Sequence, residues 1–96
     1  MSEYFCYIIK CADGTLYTGM TSDPKRRLRE HELGRGARYT RSRRPLHLAY
    51  VEAQPDLKTA MQRERTIKAL SRERKLALVA TQPMRRRAKR AKRGKR

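Results

Sequence analysis

The stretch that decides the fold is Cys6-Tyr7-Ile8-Ile9-Lys10-Cys11-Ala12-Asp13-Gly14-Thr15-Leu16-Tyr17-Thr18-Gly19. β-Branched and aromatic residues dominate on both sides of Asp13-Gly14, and Asp-Gly is a strong short-range turn signal. A β-hairpin is predicted, its first strand over Tyr4 to Cys11 and its second over Thr15 to Met20. Both strands are apolar on each face, which suits a central strand or a sheet covered on both sides. Each carries a tyrosine near the turn, Tyr7 and Tyr17, and Gly19 follows the second.

Working outward, Asp23-Pro24 announces a helix, because aspartate is a favoured N-cap and proline fits the first helical position. That helix is expected to reach Leu33, with Gly34 just past its end. It has few apolar residues and must pack by a narrow stripe around Leu28. Residues 34–45 read as a basic loop with room for one helical turn. Leu46 to Glu52 reads as a third strand, Pro55-Asp56 as the start of a second helix near Leu57, and Ser71 as the N-cap of a third. Leu76, Leu78 and Val79 lie on this last helix, and Pro83 stops it. The fold class expected is α+β, a small three-stranded antiparallel sheet flanked by helices, over residues 1–82. Residues 83–96 form a basic tail with nothing to bury, including Arg85, Arg86 and Arg87, and are expected to be disordered when free.

Ninety-six residues make one domain with a small core. With 26 Lys and Arg against 9 Asp and Glu, the formal net charge is +17. Charge of one sign at this density attracts polyanions, nucleic acid first and an anionic membrane surface second. A mere solubility role is the bland alternative, although such surfaces bind nucleic acid anyway. Cys6 and Cys11 sit in one predicted strand, about 16 Å apart and on opposite faces. A disulfide needs less than about 7 Å, so they read as reduced packing residues, and with no histidine nearby they make a poor metal pair. No signal peptide and no apolar run of membrane-spanning length is visible, so a cytoplasmic location is expected.

On the second helix, Leu57, Ala60, Met61 and Ile67 share one stripe, and Glu64 falls in its middle. Arg63 and Arg65 are expected to project into solvent. A carboxylate on an apolar stripe needs something positive to hold it. Structurally that is Lys68, one turn on; functionally, it is a divalent cation at the floor of a cleft. Arg27 and His31 also stand one turn apart on the first helix, as any two residues of a solvated basic helix would. His47 carries only a packing or solvent reading.

Taken in order, Tyr7, Tyr17, Arg27, His31 and Glu64 resemble the GIY-YIG nuclease superfamily: two hairpin tyrosines, an arginine and a histidine on the next helix, and a glutamate further on. Gly34-Arg35-Gly36-Ala37-Arg38-Tyr39-Thr40 and Arg63-Glu64-Arg65-Thr66-Ile67-Lys68 are similar to its small single-domain bacterial branch. Phe5-Cys6-Tyr7 replaces the first triplet and Tyr17-Thr18-Gly19 the second, without removing a chemical group the mechanism needs.

The resemblance implies a metal-dependent nuclease in which Glu64 holds one Mg2+ or Mn2+ and Arg27 binds the scissile phosphate through its planar fork. Tyr7 is assigned the general base and Tyr17 the positioning of water or metal, though the reverse is open; surrounding positive charge is expected to favour the phenolate. His31 is assigned proton transfer or phosphate contact, and Lys68 the orienting of Glu64 or contact with the backbone of the substrate. Arg35, Arg38, Arg41, Arg43 and Arg44, with Arg85, Arg86 and Arg87, would grip phosphates and read no bases. DNA is expected ahead of RNA, with low sequence specificity and a role in repair or processing. The alternatives are a non-catalytic nucleic-acid-binding protein that keeps the fold, and an accessory subunit whose protein partner selects the substrate.

Overall fold

A computed structural model describes residues 3–82. Strands β1 (Tyr4–Cys11), β2 (Leu16–Thr21) and β3 (Leu46–Gln54) form one antiparallel sheet in the order β2-β1-β3. Helices α1 (Pro24–Glu32), α2 (Arg38–Arg41), α3 (Leu57–Lys68) and α4 (Arg72–Val79) flank it. The architecture is the α+β class expected from sequence. The helical turn in the basic loop is α2, and β3 runs on to Gln54. The basic tail, with Arg85, Arg86 and Arg87, lies outside the described residues.

β1 is the central strand, which explains why it is apolar on both faces. At the turn, the Gly14 N–H donates to the Cys11 carbonyl at 2.9 Å, and Gly14 adopts φ +87°. This is the geometry of a short hairpin loop closed by a residue in the left-handed region, which glycine enters without steric cost. Asp13 Oδ1 accepts from the Thr15 N–H at 3.0 Å and from its hydroxyl at 2.6 Å. The three expected caps form: the side chains of Asp23, Asp56 and Ser71 accept from the N–H groups of Arg26, Thr59 and Arg74. Each such cap typically stabilises its helix by about 1 kcal/mol.

The core lies on both sides of the sheet. Cys6, Ile8 and Tyr50 pack with Ala60 and Ile67 of α3, and Leu78 and Val79 of α4 join them. Tyr7, Ile9, Cys11 and Leu46 form the other cluster, with Leu28 of α1 against it. The cysteines are free and on opposite faces. A bulge makes this division possible. Ile8 pairs with Tyr50 but Ile9 with Leu48, leaving Ala49 as an extra residue. In an unbroken strand Leu46, Leu48 and Tyr50 would share a face; the bulge sends Tyr50 to the opposite side.

Two expectations about α3 are corrected. Leu57 and Met61 are each 42% exposed, and the buried residues of the helix are Ala60 and Ile67 alone. Arg63 does not project into solvent; its Nε donates to Glu52 Oε2 at 2.6 Å and its Nη2 to Oε1 at 3.2 Å. β3 supplies a carboxylate at that position, so the helix is rolled toward it and the apolar stripe is narrower than spacing alone suggests. Among the described residues, no helix is long and apolar enough to cross a membrane.

Candidate active site

Tyr7 is 2% exposed and lies opposite Gly19 in the hairpin ladder. A Cβ at Gly19 would stand 2.5 Å from the Tyr7 hydroxyl. The glycine is therefore required by space: the phenol lies across the bare backbone of β2. From there its hydroxyl meets Nε2 of His31 at 3.1 Å. His31 is the one side chain that α1 buries completely. Its ring also meets Tyr17 edge-on, with centroids 5.4 Å apart. Gly36 makes room on the far side, since a Cβ there would fall 2.2 Å from Nδ1.

Nδ1 of His31 sits 2.7 Å from the hydroxyl of the fully buried Thr40. That hydroxyl donates to the Ala37 carbonyl at 3.0 Å, so it accepts from Nδ1–H. The Ala37 N–H approaches Nδ1 at 3.4 Å and would need the opposite tautomer. The shorter pair prevails, which leaves Nε2 the acceptor of the Tyr7 O–H. Burial, with the Arg27 charge adding to it, holds the His31 pKa below its ordinary value and keeps the ring neutral.

Burial also pushes the Tyr7 pKa up to about 12, against the smaller opposing effect of a hydrogen bond from Arg27. This corrects the expectation that surrounding positive charge would favour the phenolate. Desolvation outweighs it, because the hydroxyl sits in the core cluster.

Arg27 stands beside Tyr7 but is not free. Its Nη1 donates to Glu30 Oε1 at 2.8 Å, and Arg26 meets the same carboxylate at 3.4 Å. Glu30 escaped the sequence reading, although it lies within one turn of both arginines. Glu64 has a side chain 23% exposed, and its charge reaches both Tyr7 and Cys6. Lys68 Nζ lies 3.4 Å from Glu64 Oε2, the i,i+4 pair expected. Among the described residues, no three His, Cys, Asp or Glu side chains gather as a ready-made metal cage. One partly exposed carboxylate still fits Mg2+, which usually keeps several waters and binds through one or two carboxylates plus phosphate oxygens.

The basic loop divides into two kinds of arginine. Arg35, Arg38 and Arg41 are exposed. Arg43 and Arg44 are tied down. Arg43 bridges Asp13 Oδ2 at 3.1 Å and the Tyr39 carbonyl at 2.8 Å, and its guanidinium lies 4.1 Å from the centre of the Tyr39 ring. Arg44 donates to the carbonyls of Arg41 and Glu32, both at 2.8 Å. Tyr39 in turn stacks on Tyr17 at 5.8 Å. Thr40 and Tyr39, like Glu30, were not singled out by sequence; a threonine and an aromatic between arginines give no local signal of burial or stacking.

A family model described as the GIY-YIG catalytic domain matches residues 3–77. A UPF0213 protein of Natronomonas pharaonis is 48% identical over 79 residues, which cover 82% of this chain and 93% of the relative. A UPF0213 protein of Staphylococcus aureus is 46% identical over 79 residues, covering 82% and 96%. The solution structure of the UPF0213 protein of Bacillus halodurans is 43% identical, with a TM-score of 0.54 over 82% of this chain and 84% of that one. The solution structure of a protein of E. faecalis is 35% identical, with a TM-score of 0.60 over 88% and 90%.

Proposed function

The chain belongs to the GIY-YIG family, and from that premise we propose that it is a divalent-metal-dependent nuclease hydrolysing phosphodiester bonds in nucleic acid, DNA ahead of RNA. The observation that carries this reading is the hydrogen bond from the buried Tyr7 hydroxyl to a neutral His31. A phenol raised to about 12 is a poor source of free phenolate at neutral pH. It works instead as a relay: Tyr7 oxygen takes a proton from the attacking water as its own proton passes to His31 Nε2. Thr40 holds the imidazole in the tautomer this transfer needs. Tyr17, against the same ring, orients the water.

Arg27 binds the scissile phosphate by its fork, and the phosphate competes with Glu30 for it. Glu64 would hold the divalent ion, which supplies charge stabilisation at the phosphoryl oxygens. Arg35, Arg38 and Arg41 contact phosphates without reading bases, so sequence specificity is low, as suits repair or processing of damaged strands. One observation favours a second reading, a non-catalytic binding protein or accessory subunit: Lys68 already sits against the Glu64 carboxylate. The test is incubation of labelled single-stranded, duplex and branched DNA and RNA with the protein and Mn2+, beside EDTA and Tyr7→Phe controls. Metal-dependent cutting lost in Tyr7→Phe is the expected result. Tight binding without cutting of any substrate would establish the second reading.

A further inference from the structure

The Tyr17 side chain is held in place by packing alone. Among the described residues its hydroxyl makes no hydrogen bond, whereas the Tyr7 hydroxyl is committed to His31. Its half-buried ring packs on the cluster of Tyr7, Ile9 and Leu46 and meets His31 edge-on at 5.4 Å. Across its face it stacks on Tyr39, with centroids 5.8 Å apart and planes 29° from parallel. The hydroxyl lies at the far end of the ring, so a small tilt about the first side-chain torsion swings it through a wide arc. A staggered well is broad enough to allow such tilts, and a neighbour across the face is what resists them.

Tyr39 is itself tied down. The Arg43 guanidinium covers its ring at 4.1 Å from the centre, within cation–π range, and Arg43 Nη1 donates to its carbonyl at 2.8 Å. Arg43 then returns to the hairpin twice. Its Nε donates to Asp13 Oδ2 at 3.1 Å, and its carbonyl accepts from the Ala12 N–H at 2.9 Å. Asp13 and Tyr17 stand four residues apart on one hairpin. The contacts therefore close a circuit, from the turn to Arg43, to Tyr39, to Tyr17 and back along β2. We propose that Tyr39 is a positioning residue: it touches no reacting atom and sets the rate by fixing the direction of the Tyr17 hydroxyl. The proposal rests on the nuclease reading above and gives the loop around α2 a part in turnover beside its part in phosphate contact. A Tyr39 that served the fold alone would affect only stability, and one that touched substrate would affect KM.

Two measurements test it, one with cleavage and one without. With Mn2+ and labelled DNA, Tyr39→Leu is expected to lower kcat about ten-fold or more with KM unchanged, since misplacing a reacting group by about 1 Å costs up to about a hundred-fold. Tyr39→Phe keeps the ring and should retain most of the parent rate. In a Tyr17→Phe background, Tyr39→Leu should add little, because the hydroxyl it aims is gone. Without metal or substrate, aromatic 13C relaxation reads the order of the Tyr17 ring, its signals assigned through Tyr17→Phe. Tyr39→Leu should lower the order parameter of Tyr17 and leave that of Tyr50, in the opposite cluster, as in the parent. An unchanged order of the Tyr17 ring overturns the proposal, as does a raised KM with kcat intact. So does a full additive loss in the Tyr17→Phe background. A parent that cuts no substrate removes the nuclease reading, and ring order then decides alone whether Tyr39 fixes Tyr17. Cutting by the parent with ring order unchanged in Tyr39→Leu does the reverse. Should Tyr39→Leu unfold, Arg43→Met, which strips the guanidinium from Tyr39 and cuts its tie to Asp13, takes its place in both measurements.

Discussion

Tyr7 and Gly19 face one another across the β1–β2 ladder, and the phenol fills the volume that any side chain at position 19 would need. A Gly19→Ala variant must therefore move the Tyr7 ring, and with it the hydroxyl that meets His31. Overpacking of this kind typically costs about 1–3 kcal/mol of stability. The expected outcome is a folded protein, somewhat less stable, whose cleavage rate falls at least ten-fold while nucleic-acid binding holds. Thermal unfolding beside single-turnover kinetics checks it; parent-rate cleavage by Gly19→Ala would remove Tyr7 from the chemistry.

Thr40→Val keeps shape and removes the oxygen that accepts from His31 Nδ1–H. The imidazole then either leaves a buried N–H without a partner, a cost of about 1–3 kcal/mol, or adopts the other tautomer and presents an N–H to Tyr7. The first lowers stability and leaves Nε2 an acceptor; the second blocks the relay, and the Ala37 N–H, 3.4 Å from Nδ1, favours it once the Thr40 oxygen is gone. Turnover at saturating substrate should fall with little change in KM, and Thr40→Ser should restore most of it.

His31 gives stability a particular dependence on pH. Its folded pKa is depressed, so as pH falls below the ordinary histidine value of about 6.5 the unfolded chain takes up the proton first. Stability is full above that pH and is lost as pH falls toward the folded pKa, by at most about 1.4 kcal/mol per pH unit. The paired carboxylates act in the same direction but at lower pH, near and below about 4.5. Denaturant unfolding between pH 7 and 5 should show this slope, and His31→Gln should flatten it. Cleavage should fall over the lower part of the same window, as Nε2 becomes protonated and can no longer accept. A slope unchanged by His31→Gln would mean that another group carries it.

Glu64→Gln separates metal ligation from pairing. Lys68 is 55% exposed, so losing its partner strands no buried charge and should cost about 1 kcal/mol or less. If Glu64 holds the ion, cleavage falls by orders of magnitude and the stabilising shift in Tm produced by Mn2+ disappears, while nucleic-acid binding persists. A stable Glu64→Gln protein that cuts at the parent rate would sink the metal assignment.

What the sequence disclosed was what local signals encode. The Asp13-Gly14 turn, the caps at Asp23, Asp56 and Ser71 and the central character of β1 depend on neighbours within a few residues, and all were legible. So was the order of the five polar residues, because a family pattern is itself a sequence object. Non-local partners were not. Arg63 looked solvated because Glu52 comes from another element, and the exposure of Leu57 and Met61 follows from the same roll of α3. Nothing in Leu46, Leu48 and Tyr50 signals a bulge at Ala49; their even spacing argues for one shared face. The tight packing around His31 and Tyr7, with the tautomer and the raised pKa that follow, exists only once α1, α2 and the hairpin are brought together.

The ties made by Arg43 and Arg44 have a thermodynamic consequence. With one arginine on Asp13 and Tyr39 and the other on two carbonyls, the loop between α1 and β3 is ordered before any ligand arrives. Fixing a residue's backbone on binding costs about 1–2 kcal/mol, and this loop has already met that cost in folding. Arg35, Arg38 and Arg41 are thus displayed on a preorganised support, and association should carry a small heat-capacity change and little entropic penalty beyond counterion release. Cutting the tie at Asp13 would transfer that ordering cost from folding to binding.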